Sequence, residues 1–353
     1  MRGMVLTGHG GLDRLEWRDD LPVPTPRPGE VLIQVNASAI NNTDVTTRTG
    51  WYSRSVRGDT ASGAAEGYGS TVANAEGSWA GKPLSFPLVQ GADCCGRIVA
   101  AGPEVDARRI GERVLVRALQ SRTSSNGRAK QFTFGSECDG GFAEYAVTPS
   151  ADALAVNSEL SDVELASFPY AFSAAEGMVQ RCGLGTESVL VSGASGGVGC
   201  AAIQLAKRRG ARVTALTTAE KAADLLALGA DETLDREAPL PCREFDVVLD
   251  LVGGPRWPDL IESLHNGGRY VVSGAIAGPI VELDLRTLYV RDLSLIGNTY
   301  QPDNIFPDVI GYIETGEIRP VLAATYPLEQ LRTAQEAFLS KSHIGKIGIT
   351  VAD

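Results

Sequence analysis

The stretch that decides the fold is residues 189–199, which reads Val-Leu-Val-Ser-Gly-Ala-Ser-Gly-Gly-Val-Gly. Its β-favouring start runs into a loop of small residues, and an amphipathic helical pattern follows as far as Arg209. Gly193, Gly196 and Gly199 have the spacing G-x-x-G-x-x-G, in which a side chain would collide with a phosphate or a neighbouring strand. Because the backbone N–H groups of a helix N-terminus bind anions, the stretch predicts a pyrophosphate site.

Strand and helix patterns alternate after this loop. Residues 212–216 predict a strand, and residues 219–228 predict a helix that Gly229 ends. The pattern continues with an apolar strand at residues 245–252 and a helix at residues 255–264. A Gly-Gly pair at 267–268 then breaks the helix, and another buried strand follows at residues 269–273. The alternation predicts an α/β fold with a doubly wound parallel sheet, as in dinucleotide-binding domains. An unrelated α/β domain with a coincidental glycine loop is the alternative.

The end of the second strand of this domain indicates which dinucleotide binds. NAD-binding domains usually place Asp or Glu there, to hold the ribose 2′-hydroxyl. Here Thr217 and Thr218 stand instead, with Lys221 just beyond. Two hydroxyls and an ammonium suit a 2′-phosphate, which a carboxylate would repel, so NADPH is favoured. Lys221 could equally be an ordinary solvated charge, and Glu220 beside it weakens the argument.

The other predicted cofactor contacts lie in the glycine loop and at the carboxyl ends of strands, where open α/β sheets bind ligands. They are Ser195, Gly196, Gly197, Val198, Val252, Ser273, Gly274 and Asn298. His265, which stands near the Gly267-Gly268 pair, is interpreted as a helix-end residue rather than a ligand.

Charge and composition narrow the range of partners. The formal net charge of −11 disfavours nucleic acid and anionic membranes. No apolar run approaches the roughly 18 residues that span a bilayer, and the start of the chain lacks the apolar region of a signal peptide. Six scattered cysteines fit a reducing compartment. We therefore expect a cytoplasmic protein whose partner is a small-molecule substrate.

The chain before the cofactor domain has a different pattern of secondary structure. Short strand patterns separated by Gly and Pro predict antiparallel β structure, at residues 31–35, 98–101, 113–116 and 142–147. A helix at 328–340 and a strand at 346–351 are expected to return and complete this domain. The predicted domains are residues 1–157 with 302–353, and residues 158–301, with the active site in a cleft between them.

Short motifs that run nearly end to end carry a family resemblance. They are Pro28-Gly29-Glu30-Val31, Asn41-Asn42-Thr43-Asp44, Gly91-Ala92-Asp93 followed by Gly96, Gly140-Gly141-Phe142-Ala143-Glu144-Tyr145, the glycine loop, Tyr326-Pro327-Leu328-Glu329 and Gly345-Lys346. Through them the chain resembles the medium-chain dehydrogenase/reductase superfamily, in particular its zinc-free, quinone-oxidoreductase-like and enoyl-reductase-like branch. The resemblance implies a GroES-like β-rich domain joined to a Rossmann domain. It also implies a homodimer paired through edge strands, for which residues 293–296 could serve.

The residues at the superfamily's metal positions decide the expected chemistry. The alcohol dehydrogenases that the chain resembles carry Cys where Asn41 stands and a His-Glu pair where Ala92-Asp93 stands. A further ligand is expected around residues 172–174, where this chain offers none, and residues 96–137 contain no Cys for a structural zinc. Since Zn²⁺ needs about three thiolate, imidazole or carboxylate ligands, we expect no metal.

Without a Lewis acid, hydride transfer is expected to a conjugated acceptor, whose carbonyl group already makes the β-carbon electrophilic. The leading hypothesis is a zinc-independent, NADPH-dependent reductase of the C=C bond of an α,β-unsaturated carbonyl, thioester or quinone. The alternatives are a dehydrogenase of the same fold that acts on a specialised metabolite, and a non-catalytic NADPH-binding or structural protein.

Two residues are the catalytic candidates. Tyr52, which matches a Tyr of the family, is the candidate proton donor or enolate hydrogen-bonding group, because its phenol stays protonated at neutral pH. Packing of a loop is the competing role for Tyr52. Asn41 is the candidate for a neutral hydrogen bond to substrate or nicotinamide, with helix capping as its alternative. Trp51 and Phe172 are predicted to border the substrate or the nicotinamide, although Phe172 could belong to the core.

Residues 53–86 form an insertion rich in Gly, Ala and Ser, which predicts either a lid over a bulky substrate or a surface loop. Arg48, Arg54 and Arg57 near its start could meet an anionic substrate such as a CoA thioester. Asp44 is expected to cap or brace the short helix that begins near Thr43.

Overall fold

The computed structural model describes residues 1–68, 77–79, 81–123 and 129–351. The chain divides into two compact units. The first unit comprises Met1–Val56, Ser62–Tyr170 and Phe306–Asp353, and the second comprises Arg57–Ala61 and Ala171–Ile305. The domain bounds predicted from the sequence, residues 1–157 with 302–353 and residues 158–301, remain a prediction.

The first unit is built mainly of short strands, numbered here in chain order through the whole protein. They are β1 (Gly3–Leu6), β2 (Leu15–Arg18), β3 (Glu30–Ala39), β4 (Leu88–Val89), β5 (Cys95–Ala101), β6 (Arg113–Val116), β7 (Leu119–Thr123), β8 (Ala129–Thr133), β9 (Tyr145–Pro149), β10 (Ala153–Ala155), β17 (Leu322–Pro327) and β18 (Lys346–Thr350). Its helices are α1 (Asn42–Thr49), α2 (Asp162–Leu165) and α9 (Leu331–Leu339), with α8 (Ile305–Glu314) entering it at Phe306.

A seven-stranded sheet organises the first unit. Its strand order is β10-β6-β5-β3-β18-β17, and β9 pairs with β3 as well. The long strand β3 lies at the centre, where Val31, Ile33 and Val35 are fully buried. Strand β18 comes from the far end of the chain and pairs antiparallel with β3. The C-terminal stretch therefore returns to the first unit and brings Lys346 beside the start of α1.

The second unit contains one six-stranded parallel sheet. Its strands are β11 (Ser188–Val191), β12 (Arg212–Thr217), β13 (Glu232–Asp235), β14 (Phe245–Asp250), β15 (Leu264–Val272) and β16 (Ser294–Gly297), in the spatial order β13-β12-β11-β14-β15-β16. Its helices are α3 (Pro169–Arg181), whose first two residues belong to the first unit, α4 (Gly197–Arg208), α5 (Ala219–Leu228), α6 (Trp257–Glu262) and α7 (Leu285–Val290).

This order, with the first three strands reversed before the last three, is that of a Rossmann sheet. Val189, Leu190 and Val191 of β11 are fully buried, as are Val247 to Leu249 of β14, because helices cover both faces of a parallel sheet. The predicted fold class, an α/β protein with a GroES-like β-rich unit and a doubly wound parallel sheet, is confirmed.

The predicted break at Gly267-Gly268 is wrong in detail. Strand β15 already begins at Leu264, so His265 lies in a strand and does not end a helix. The pairing of β14 with β15 changes register between Phe245 and Val247 of β14. The extra residues lie in β15, where Gly267 has φ +76°. The Gly267 N–H donates to the carbonyl of Arg291 (2.8 Å), which holds this bulge in place.

The predicted C-terminal helix is shorter than its pattern. Leu328–Gln330 forms a separate 3₁₀ turn, and α9 begins only at Leu331. The antiparallel pairing of β7 with β8 was not predicted.

Candidate active site and cofactor site

Helix α1 places the predicted catalytic residues of the first unit. Asn41 is its N-cap, with extended backbone angles, and the Asn41 N–H donates to Oδ2 of Asp44 (2.7 Å). Asp44 also accepts a hydrogen bond from the N–H of Ala92 (3.3 Å). The helix ends at Gly50, whose φ of +76° is typical of a C-terminal glycine. Asp44 therefore braces the helix start, as expected from the sequence.

The side-chain amide of Asn41 is engaged on both sides. Its Nδ2 donates to Oδ2 of Asp93 (2.8 Å) and to the carbonyl of Ala39 (3.3 Å). Its Oδ1 accepts from the Lys346 ammonium (2.5 Å). The same ammonium donates to Asp93 Oδ2 (2.8 Å) and to the carbonyl of Ile40 (2.8 Å). Asn41, Asp93 and Lys346 are all buried, so they form a closed polar cluster.

The start of α3 adds Tyr170 to this neighbourhood. The Tyr170 N–H donates to Oδ1 of Asp93 (2.7 Å), so that both carboxylate oxygens of Asp93 are bound within the first unit. Sequence reasoning missed Tyr170 and Lys346. Tyr170 stands two residues before the stretch in which a third metal ligand was sought, and Lys346 was noted only as part of a family motif.

The phenol of Tyr52 lies against α1. Its hydroxyl donates to Oγ1 of Thr43 (3.1 Å), and its ring meets that of Trp51 edge to face, with centroids 5.7 Å apart. Burial raises the pKa of Tyr52, whereas hydrogen bonds with Thr43 and Thr46 act in the opposite direction. Tyr52 is therefore a neutral hydrogen-bond donor across the physiological range.

Tyr170 has the same electrostatic character. Burial raises its pKa well above the ordinary value, and the neighbouring Tyr52 phenol raises it further, while a hydrogen bond with the Thr43 side chain lowers it. Asp44 lies nearby, and burial raises its pKa to about 7 against the opposing effects of the Asn41 N–H and the Lys346 charge.

Arg48 is not available to a substrate, which corrects the sequence interpretation. Its side chain is fully buried and donates to the carbonyls of Gly10 (2.9 Å) and Ala64 (3.2 Å) and to Oε1 of Gln335 (3.0 Å). Burial lowers its pKa to about 10. Arg48 therefore fastens the beginning of the insertion to the first unit, whereas Arg54 and Arg57 are exposed.

Residues 69–76 and 80 of the insertion (residues 53–86) lie outside the described residues. Arg57–Ala61 belongs to the second unit, whereas the other described parts of the insertion contact the first unit closely. The Tyr68 N–H donates to the carbonyl of Thr49 (3.0 Å), and a Cβ on Gly67 would lie 2.6 Å from the Cα of Gly10. A Cβ on Gly77 would lie 2.3 Å from Nε2 of His9. The insertion is therefore packed against the β1–β2 connection and α1 on both sides of its undescribed part.

The glycine loop of the second unit follows β11 and leads into α4. Gly193 has φ +65°, a conformation that favours glycine. A Cβ on Gly199 would lie 2.3 Å from the carbonyl oxygen of Gly193, so the helix can approach the loop only with glycine there. At Gly196, the N-cap of α4, a Cβ would meet only the Gly193 oxygen, at 3.5 Å. The helix start with Ser195, Gly197 and Val198 therefore presents open backbone of the kind that holds a pyrophosphate.

A buried carboxylate organises the strand ends beside this loop. Asp250, at the end of β14, accepts hydrogen bonds from the hydroxyls of Ser192 and Tyr270. It also accepts from the N–H groups of Val252 (2.9 Å) and Gly253 (3.1 Å). Burial, together with the nearby Asp250 charge, raises the pKa of Tyr270. Asp250, which was not among the predicted residues, holds the predicted contact Val252 in place.

The carboxyl end of β12 carries the residues predicted to choose the cofactor. Thr217 is buried, and its Oγ1 has no hydrogen-bond partner among the described residues. Thr218 is the N-cap of α5, and its carbonyl accepts from the Lys221 N–H (3.1 Å). Burial lowers the pKa of Lys221, and the positive charge of Arg236 lowers it further. Two cations therefore stand together at this strand end.

Arg236 was missed because it follows a different strand. It comes directly after β13, and its N–H donates to the carbonyl of Thr217 (2.9 Å). The parallel pairing of β12 with β13 brings both strand ends to the same edge of the sheet. A search for cations after the neighbouring parallel strand would have found Arg236 in the sequence.

The last predicted cofactor residues lie at the ends of β15 and β16. Ser273 Oγ donates to the carbonyl of Asn298 (3.0 Å), and Asn298 Nδ2 donates to the carbonyl of Ala174 (3.1 Å). Asn298 Oδ1 is buried without a hydrogen-bond partner in the part of the chain that is described. Gly274 packs against Leu251, whose carbonyl would lie 2.6 Å from an added Cβ. Phe172 is 3 % exposed and so lies within the core of its unit.

Comparisons with known proteins agree with this architecture. The family model of the alcohol dehydrogenase GroES-like domain matches residues 27–158, and that of the zinc-binding dehydrogenase matches residues 197–315. Within the described ranges, no helix combines the length and the apolar character needed to cross a membrane.

Several relatives match the chain over nearly its whole length. Acryloyl-coenzyme A reductase of Metallosphaera sedula is 28% identical over 99% of this chain and 100% of its own. Human quinone oxidoreductase is 27% identical over 97% of this chain and 95% of its own. A solved structure of a provisionally named alcohol dehydrogenase from Sinorhizobium meliloti 1021 is 40% identical, covers 99% of this chain and 96% of its own, and superposes with a TM-score of 0.86.

The two family models and the 40%-identical structure cover both units, and the reductase and quinone oxidoreductase relatives specify the branch. The family resemblance drawn from the motifs is thereby confirmed. The chain belongs to the medium-chain dehydrogenase/reductase superfamily of oxidoreductases, in its quinone-oxidoreductase-like branch.

Proposed function

We propose that this chain is a zinc-independent, NADPH-dependent reductase that delivers hydride to the C=C bond of an α,β-unsaturated carbonyl, thioester or quinone. The names of the two curated relatives, an acryloyl-coenzyme A reductase and a quinone oxidoreductase, support this substrate class. The observation that carries the proposal is the Lys346 ammonium bound between Asn41 and Asp93. The family resemblance matches Asn41 and the Ala92-Asp93 pair to the Cys and the His-Glu pair of zinc-dependent alcohol dehydrogenases.

The donor set at these positions does not fit zinc. Asn41 offers an amide, Ala92 offers no donor, and Asp93 is neutralised by the Lys346 ammonium 2.8 Å away. A divalent cation would have to displace this ammonium, and neither Asn41 nor Ala92 offers it a thiolate or an imidazole. Among the described residues, no group of three His, Cys, Asp or Glu side chains could hold a metal ion. The proposed reaction is therefore one in which the substrate's own conjugation activates the acceptor carbon.

The residues of the chain fit the remaining tasks of such a reduction. When NADPH is bound, it supplies the hydride. The open backbone around Gly196 would hold the pyrophosphate, and the Asp250 network keeps the adjoining strand ends rigid. The Tyr52 phenol donates its single proton to Thr43 Oγ1 (3.1 Å). It would turn that proton from Thr43 to the enolate formed on hydride transfer and protonate the α-carbon there.

Preference for NADPH is argued from the cluster at the end of β12. Lys221 and Arg236 would face a 2′-phosphate together, near Thr217, whose hydroxyl has no hydrogen-bond partner among the described residues. We expect Arg236→Ala to weaken NADPH binding about tenfold and to leave NADH binding unchanged. The matched control is Arg212→Ala, at the opposite end of β12, which should change neither affinity.

The proposed activity is tested by the loss of NADPH absorbance with acryloyl-CoA, crotonyl-CoA, a benzoquinone and a saturated ketone, before and after treatment with a metal chelator. We expect turnover of the conjugated acceptors, unchanged by the chelator. Oxidation of simple alcohols that depends on added zinc would overturn the proposal. Binding of NADPH without turnover of any acceptor would instead identify a nucleotide-binding or structural protein.

We also propose that the chain forms a homodimer through the outer strand of the second unit. Strand β16 is the last in the sheet order, and α7 beside it in sequence exposes large apolar side chains. Leu285, Tyr289 and Val290 are 65%, 67% and 65% exposed. Apolar side chains beside an unpaired strand edge are a feature of surfaces that pair with another copy.

A further inference from the structure

We propose that the short segment Arg57–Ala61, here called the strap, holds in place the strand end at which the nicotinamide half of the cofactor binds, and that Thr60 is its positioning residue. The inference rests on the proposed function, in which NADPH lies along the carboxyl ends of the parallel strands. It assigns a role to a described part of the insertion, for which the sequence left both a lid and a surface loop open.

The strap is an excursion of the insertion into the second unit. Its residues belong to that unit, whereas the chain on either side of it belongs to the first. Before the strap, Val56 is buried and its N–H donates to the carbonyl of Ser53 (2.9 Å). After the strap, the carbonyl of Ala64 accepts from the buried side chain of Arg48 (3.2 Å). Because both ends are held, the strap loses little further conformational freedom when it binds.

Thr60 makes two hydrogen bonds to one carbonyl group of the second unit. Its N–H donates to the carbonyl oxygen of Ile276 (2.9 Å), and its hydroxyl donates to the same oxygen (3.3 Å). A carbonyl oxygen has two lone pairs, so it can accept both bonds at once. The two residues are 216 positions apart in the chain, so the contact is made by the fold and not by neighbouring sequence.

Ile276 lies in the turn that follows β15, and this turn is built onto the neighbouring strand end. The Ala277 N–H donates to the carbonyl of Val252 (2.9 Å), just after β14. A Cβ on Gly254 would lie 2.5 Å from the carbonyl oxygen of Ala277, so the two turns approach as closely as glycine allows. The turn is therefore held by the end of β14 at Ala277 and by the strap at Ile276.

This turn belongs to the nicotinamide half of the proposed cofactor site. A Rossmann sheet binds a dinucleotide across the point where the strand order reverses, with one nucleotide on each side. The order β13-β12-β11-β14-β15-β16 puts that point at β11. Since Thr217 and Lys221 at the end of β12 are proposed to bind the adenosine half, the ends of β14 and β15 are left for the nicotinamide half. Ser273 and Gly274, two of the predicted cofactor contacts, come shortly before the turn.

The strap should thus act on one half of the cofactor only. A turn released by the strap would move Ser273 and Gly274, which precede it, whereas the glycine loop and the end of β12 make no use of it. Loss of the Thr60 bonds should therefore weaken binding of the whole dinucleotide and leave binding of its adenosine half unchanged. A general loss of stability would weaken both.

The binding test compares calorimetric titration of NADPH with that of adenosine 2′,5′-bisphosphate, which lacks the nicotinamide half. Thr60→Pro removes both donors, Thr60→Val removes the hydroxyl alone, and Thr60→Ser keeps both. We expect NADPH to bind about tenfold more weakly to Thr60→Pro, about twofold more weakly to Thr60→Val, and as in the wild type to Thr60→Ser. The affinity for the bisphosphate should be the same in all three variants.

Thr7 offers a matched control within the first unit. Its N–H (2.9 Å) and its hydroxyl (3.2 Å) also donate to a single carbonyl oxygen, that of Arg14. Thr7→Pro and Thr7→Val should leave the affinities for both ligands unchanged. An NADPH affinity of Thr60→Pro equal to that of the wild type would overturn the proposal. Equal weakening of NADPH and bisphosphate in Thr60→Pro would overturn it as well, because the strap would then support the fold in general.

Kinetics and hydrogen exchange separate this inference from the proposed function. In NADPH oxidation with a conjugated acceptor, Thr60→Pro should raise the KM for NADPH about tenfold and change kcat by less than about twofold. Exchange of the backbone amides of the strap, followed by mass spectrometry, should slow when NADPH is added to the wild type. Exchange at the rate of an unstructured peptide, with and without NADPH, would overturn the proposal.

Two further outcomes concern the wild type alone. If it binds NADPH and protects the strap but reduces no acceptor, the strap is kept and the proposed reaction is rejected. If it does not bind NADPH, both the proposed cofactor and the role of the strap are rejected.

Discussion

The Lys346 ammonium lies 2.8 Å from Oδ2 of Asp93, and both side chains are buried at the start of α1. Removal of either partner would leave a charge in the interior without its counter-charge. We expect Lys346→Met and Asp93→Asn each to lower the free energy of unfolding by about 3–5 kcal/mol, and the double variant to lose less than the sum. Urea unfolding of the four proteins measures the coupling.

A surface pair serves as the control for this experiment. Arg108 and Asp106 are joined by a short ion pair, but the Arg108 side chain is 91% exposed. Asp106→Asn should leave the free energy of unfolding unchanged. If the losses for Lys346→Met and Asp93→Asn simply add, the two residues do not neutralise each other, and the argument against a metal at this place loses its basis.

The pKa of Asp44 makes the stability of the fold depend on pH. Burial raises this pKa to about 7, above the ordinary value of 3.8 that applies in the unfolded chain. At pH values between the two, the folded chain keeps a proton that the unfolded chain has lost, so the Asp44 contribution to stability falls as pH rises. Relative to Asp44→Asn, the wild type should lose about 3 kcal/mol between about pH 5 and 8, as measured by denaturant unfolding. A difference that stays constant between pH 5 and 8 would show that Asp44 is ionised in the folded chain throughout this range.

The two glycines of the cofactor loop should separate folding from binding. A methyl group at residue 199 would press against the Gly193 carbonyl, 2.3 Å from the Cβ position, so Gly199→Ala should lower the free energy of unfolding by about 2 kcal/mol. Gly196→Ala meets only that same oxygen, at 3.5 Å, and should change the stability by less than about 0.5 kcal/mol. It should nevertheless weaken NADPH binding at least about tenfold, because the methyl group enters the space proposed for the pyrophosphate. Thermal unfolding and calorimetric titration measure the two effects.

If Gly196→Ala binds NADPH as tightly as the wild type does, the pyrophosphate does not bind at this loop. Loss of stability in Gly196→Ala equal to that in Gly199→Ala would show that the loop is tighter than its contacts indicate.

The parts of the structure that could be predicted are those with local causes. The signals for β11, β14 and the glycine loop each come from residues that are adjacent in the sequence. The parallel sheet was therefore predicted correctly. The bulge of β15 before Arg269 was not predicted, because its Gly267 N–H is held by the carbonyl of Arg291, 24 residues further along the chain. Side-chain partners that come from distant strands leave no such local signal.

The polar cluster of the first unit illustrates this limit. Asn41 and Lys346 are separated by 305 residues and meet only because β18 pairs with β3. The role of Asn41 was therefore considered without its partners, and Arg48 was considered exposed because its burial depends on Gln335, 287 residues away. Arg236 was closer to prediction, since the order of parallel strands places it beside Lys221.

The exposed face of α7 gives the last prediction. In the proposed homodimer, Leu285 and Tyr289 would be covered by the partner subunit, which accounts for two large apolar side chains that are 65% and 67% exposed. The double variant Leu285→Glu/Tyr289→Lys places opposite charges one helical turn apart, an arrangement that preserves the helix while it removes the apolar face. We expect the wild type to be dimeric and this variant monomeric by light scattering after gel filtration, with unchanged helix content. Leu226→Glu, which changes an exposed leucine of α5 (44% exposed), should leave the dimer intact. A wild type that is monomeric at micromolar concentration, or a double variant that remains dimeric, would show that this face is not the subunit interface.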